Sequence, residues 1–101
     1  MADTLNVASG VNMPFNLEAE QSVLGSILIK PECIEEVLEH INADSFYLPQ
    51  HNAIFSSMML MYTNSKAIDP VIIADALAKD GKYDEAGGRD YLLQLAQSVP
   101  S

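Results

Sequence analysis

A chain of 101 residues, 49% hydrophobic and 19% charged, holds material for one core and is too short for an ATPase or dehydrogenase module with a second domain attached. Fourteen acidic residues against five basic ones give a formal charge of -9, which disfavours autonomous binding to phosphate backbones or anionic lipid. Cys33 stands alone, which excludes an internal disulfide framework and fits a reducing cytosol. The apolar run Met58 to Tyr62 falls far short of the roughly 20 residues that span a bilayer, and Met1-Ala2-Asp3 begins no secretory signal.

Residues 1–13 scatter Asn6, Ser9, Gly10 and Asn12 among small apolar residues without a period, and they read as a flexible leader with order beginning at Pro14. Asn16 is a good N-cap, and Glu18 and Glu20 follow in the first turn, where the helix dipole favours negative charge. Counting about 100° per residue gathers Val23, Leu24, Ile27 and Leu28 on one face of this first helix. Pro31 closes it and opens a second helix predicted to run to Ile41, with Ile34, Val37, Leu38 and Ile41 inward and Glu32, Glu35, Glu36 and Glu39 mostly outward. Asn42-Ala43-Asp44-Ser45 is turn chemistry.

A third helix is predicted from Pro49 to Thr63, with an apolar arc of Ile54, Phe55, Met58, Met61 and Tyr62. Asp69-Pro70 pairs an N-cap with proline at the first helical position, and Gly81 ends that fourth helix near Asp80. A fifth helix, from about Arg89 to Val99, aligns Leu92, Leu95, Ala96 and Val99. Nothing alternates with period two, so the expected fold is an all-α compact bundle of five to six short helices over residues 14–101.

No G-x-x-x-x-G-K-[ST] loop and no G-x-G-x-x-G turn is present. The pair Gly87-Gly88 is hemmed in by Asp84, Glu85 and Asp90, which favours a tight turn ahead of a helix over a phosphate cradle. His40, His51 and Cys33 lack metal-ligand spacing, and no serine sits in an elbow motif, so no metal, cofactor-binding or catalytic residue is assigned.

Three features stand out. Glu20 falls inside the apolar arc of its helix, which reads either as a general acid–base or, with preference, as a structural anchor paired with His51, Arg89 or free backbone amides. His51 lies in the middle of the third helix's arc, a core histidine in preference to a ligand or switch, with backbone or Glu20 as its expected partner. The third helix is apolar nearly all round: Leu60 lies opposite Met58 and Met59 on the flank. Such a helix is either enclosed or used on two surfaces, and a contact with another copy or another protein is favoured. Ile72, on the wetter side of the fourth helix with Asp75 and Lys79, adds to that surface.

Several strings recur in order: Asn16-Leu17-Glu18-Ala19-Glu20-Gln21-Ser22-Val23-Leu24-Gly25-Ser26, Phe46-Tyr47 with His51 and Ile54-Phe55, Ile68-Asp69-Pro70-Val71, Glu85-Ala86-Gly87-Gly88 with Tyr91-Leu92, and Val99-Pro100. Together they resemble the N-terminal domain of the bacterial replicative DNA helicases, the DnaB family, over residues 14–101. Members of that family are hexameric, ATP-driven and unwind duplex DNA at the replication fork. The resemblance implies that this chain is the front part of such a protein, with a helical hairpin, a linker and a RecA-like motor domain following elsewhere. It places ATP and magnesium in that motor domain, with no cofactor and no direct DNA binding here. It further implies a cytoplasmic protein, self-association as dimers arranged in a trimer of dimers, and primase as a partner.

Within the resemblance, Gly87-Gly88 is a turn that aims the fifth helix, and Tyr91 is a candidate for partner contact or, equally, a core tyrosine with its hydroxyl outward. Ile72 departs from a pattern in which relatives often carry threonine. The expected contact surface is therefore Met59, Leu60, Ile72 and Tyr91, with Glu20 and His51 as polar anchors. The competing expectation is a free-standing acidic helical adaptor unrelated to helicases.

Overall fold

A computed structural model describes residues 16–82 and 84–99; the leader predicted over 1–13, with its start of order at Pro14, lies outside them. Five α-helices and two short 3-10 turns make up the described chain, with no strand among those residues. Helix α1 spans Leu17–Ile29, α2 Ile34–Leu38, α3 Pro49–Thr63, α4 Pro70–Lys79 and α5 Gly88–Gln97.

The helix starts follow from local chemistry. Asn16 Oδ1 accepts from the Ala19 amide at 2.9 Å, and Asp69 Oδ2 accepts from Val71 at 2.9 Å and Ile72 at 3.4 Å. Pro49 and Pro70 occupy first-turn positions, where a missing N–H costs nothing. Helices α3 and α4 end in the same way. The amides of Lys66 and Lys82 reach back to the Met61 and Leu77 carbonyls, both at 2.8 Å, across a left-handed residue. That residue is Gly81 after α4 (φ 73°) and Ser65 after α3 (φ 58°).

The segment predicted as one helix over 31–41 is instead a 3-10 turn, Pro31–Cys33, followed by the five-residue α2. Proline at the start and four glutamates over eight residues leave few apolar anchors, so Ile34 is its one fully buried side chain. The turn at 43–45 also closes as a 3-10 turn, capped by Asn42 Oδ1 on the Asp44 amide at 2.9 Å. Val99 lies past the end of α5, and Tyr62 is exposed, outside the α3 arc.

The core joins Leu24, Ile27 and Leu28 of α1, Ile54, Phe55 and Met58 of α3, Ile73 and Leu77 of α4, and Leu92 and Leu95 of α5. The closest helix pairing is α1 against α5. Gly25 makes it possible: a Cβ there would run into the Leu95 carbonyl and come within 2.6 Å of Val99 Cγ2. Glycine inside a helix costs roughly 0.5–1 kcal/mol relative to alanine, and here it allows the two backbones to touch. No described helix is long and apolar enough to cross a membrane.

Candidate functional site

The α1–α5 contact brings three polar side chains together inside the bundle. His51, in the first turn of α3, is completely buried. Its Nδ1 lies 2.7 Å from Glu20 Oε1 of α1, and its Nε2 lies 2.6 Å from the Tyr91 hydroxyl of α5. The other carboxylate oxygen of Glu20 accepts the Tyr47 amide at 2.7 Å, and Gln21 Nε2 donates to the Tyr91 hydroxyl at 3.3 Å. Phe46 closes the site edge-on to the imidazole, with ring centroids 6.3 Å apart.

One set of protons satisfies every bond in this chain. Gln21 donates to the Tyr91 oxygen, the Tyr91 O–H donates to Nε2, and the Nδ1 proton goes to Glu20, which also takes the Tyr47 amide. The network therefore ties α1, α3, α5 and the segment leading into α3 at one point, with no buried ring nitrogen left unpaired. An acid–base site would need Glu20 and His51 to line an open pocket, and His51 has no exposed surface.

Tyr91 is half-buried against the core, and its hydroxyl points inward, not outward as expected of a core tyrosine. The turn before α5 sets this orientation. Gly87 has φ 93°, and a Cβ on it would come within 2.8 Å of Tyr91 Cβ, so the backbone can pass the phenol only as glycine. The lining of that turn is Asp84, Gly87, Gly88, Arg89 and Asp90, and two carboxylates beside one guanidinium do not suit a phosphate. Among the described residues no three His, Cys, Asp or Glu side chains converge as metal ligands would.

The other surface candidates separate. Leu60 is 56% exposed and Ile72 40% exposed, the latter beside an Asp75–Lys79 ion pair at 3.2 Å. Met59 is half-buried and packs on the core, so it does not offer the free flank that helical counting suggests. Val71 and Leu93 are exposed apolar residues that sequence reasoning did not single out, because each falls within an otherwise apolar run.

Comparison with known proteins identifies the framework around this network. The family model described as the DnaB-like helicase N terminal domain matches residues 12–101. The replicative DNA helicase DnaB of Pasteurella multocida is 38% identical over 92 residues, covering 91% of this chain and 20% of that protein. The helicase DnaB of Leifsonia xyli is 33% identical over 88 residues, 87% of this chain and 19% of that protein. This chain thus spans about one fifth of the length of the curated relatives it matches.

Among solved structures, the crystal structure of the N-terminal domain of the Mycobacterium tuberculosis DnaB helicase superposes with a TM-score of 0.84 at 34% identity, covering 89% of this chain and 62% of that one. A DnaB-like replicative helicase described together with its interactions with primase superposes with a TM-score of 0.75 at 36% identity, over 85% of this chain and 20% of that one. These matches exclude an adaptor unrelated to helicases: the chain belongs to the DnaB-like helicase N-terminal domain family.

Proposed function

We propose that this chain is the N-terminal assembly and primase-docking domain of a cytoplasmic, hexameric, ATP-dependent replicative helicase that unwinds DNA at the replication fork. The observation that carries the reading is the family match over residues 12–101, together with the likeness to a helicase described with its interactions with primase. The fragment itself is non-catalytic and binds neither nucleotide nor DNA. A charge of -9 opposes a phosphate backbone, and ATP and magnesium belong to the motor domain.

Dimers, built into a trimer of dimers in the full-length helicase, use exposed apolar positions such as Leu60 and Ile72. Glu20, His51 and Tyr91 hold α3, which carries Leu60, in a fixed relation to α1 and α5.

Two measurements test the division of labour. ATP turnover and a low-salt DNA mobility shift on this chain should both remain at background, and activity above background in either contradicts the reading. In the open reading frame beyond Ser101, a G-x-x-x-x-G-K-[ST] string within the next few hundred residues is expected, and a stop codon there is the contrary result.

A further inference from the structure

A groove between α1 and α2 plays no part in the network or in the Leu60 and Ile72 surface. Val23, Cys33, Val37 and Ile41 line it, with Glu36 and His40 at the rim. A second cleft adjoins it and shares Cys33 and Glu36; its remaining walls are Lys30, Glu32, Glu35 and Glu39. Three of the groove's apolar side chains, Val23, Val37 and Ile41, are half-buried against the core, so their outer surfaces form a shallow apolar floor. All four glutamates are exposed, and Lys30 is the lone cation in the cleft.

We propose that this groove docks a basic amphipathic helix of a partner protein, its apolar stripe on Val23, Val37 and Ile41 and its Lys or Arg residues on Glu32, Glu36 and Glu39. Charge complementarity selects this occupant. A second copy of a chain of charge -9 would bring like charge to an acidic rim, and a nucleic acid would be repelled for the same reason. An apolar floor with a row of carboxylates along its α2 side matches the side-chain order of a helix with an apolar face and a cationic flank. The carboxylate field also reaches into the groove: the Cys33 thiol is pushed up by burial first, then by Glu32 and Glu36, against the opposing pull of Lys30 and a backbone hydrogen bond. This inference does not rest on primase being the partner.

The probe is a synthetic 14-residue peptide with leucine at i, i+3, i+4 and i+7 and lysine elsewhere, titrated into the 15N-labelled chain. Two control peptides accompany it, one with the same residues scrambled so that the stripe is lost and one with glutamate in place of lysine. Amide shifts are expected to cluster at Val23, Val37 and Ile41. Affinity should fall at least about fivefold when salt rises from about 50 to about 300 mM, and by a similar factor in the Glu32→Gln/Glu36→Gln/Glu39→Gln variant. Those three side chains are exposed, so the variant keeps the fold. Shifts centred elsewhere, equal binding of either control peptide, or an unchanged affinity in the triple variant would each overturn the proposal.

Discussion

The Tyr91 hydroxyl meets His51 Nε2 at 2.6 Å with the two ring planes only 9° from parallel. That separation is too short for one ring to lie over the other, so the phenol hydroxyl approaches the edge of the imidazole at Nε2. Because His51 is sealed from water, no solvent molecule can replace that donor without opening the bundle. Tyr91→Phe is therefore expected to destabilise the domain by about 1–3 kcal/mol, the cost of a buried acceptor without a partner. Urea unfolding measures it; an unchanged midpoint would mean the bond contributes nothing net.

Gly25→Ala sets two effects against each other. Alanine favours a helix interior by roughly 0.5–1 kcal/mol over glycine. The new methyl, however, meets the Leu95 carbonyl and Val99 Cγ2, and overpacking against backbone costs typically about 1–3 kcal/mol. The steric term wins, and a lower melting temperature is expected. Leu24→Ala, a pure core truncation next door, should cost about 2–5 kcal/mol. A Gly25→Ala variant more stable than the parent would show that α5 can withdraw freely.

Leu60→Glu and Met59→Glu separate surface from core on one helix. Leu60 is 56% exposed, so its glutamate should leave the melting temperature nearly unchanged and weaken self-association. Met59 packs against the core, so its glutamate should lower stability as well. Sedimentation velocity paired with thermal melts distinguishes the two. Self-association undiminished by Leu60→Glu would remove α3 from the contact surface.

The raised Cys33 thiol gives a pH prediction. Folding holds the proton on more tightly than the unfolded chain does, so as pH rises through the ordinary thiol range the unfolded state loses its proton first. Stability should therefore fall with rising pH in that window, and Cys33→Ser should flatten the dependence. Alkylation of Cys33 by iodoacetamide at neutral pH should be slower than that of a free cysteine peptide, and faster in Glu32→Gln/Glu36→Gln. Equal rates in all three would mean the carboxylates do not act on the thiol.

Much of the fold is legible in the residues because its signals are local. Pro49 and the Asp69-Pro70 pair mark the first residues of α3 and α4, and Gly81 marks the end of α4. The stretch 31–41 misleads because its helical spacing is real while its glutamate content leaves only Ile34 deeply anchored. The site divides along the same line. The inward angles of Glu20 and His51 can be counted along their helices, but the inward hydroxyl of Tyr91 cannot, since it depends on a left-handed turn at Gly87. Gly25 is silent in sequence because the backbone it accommodates lies seventy positions away at Leu95.

The proposed function requires this domain to bind other proteins, primase among them. Sedimentation velocity of the purified chain mixed with primase from the same organism tests it most directly. A faster-sedimenting species containing both proteins is expected. Two independent boundaries at concentrations well above those of the cell, with the chain remaining monomeric alone, would contradict it.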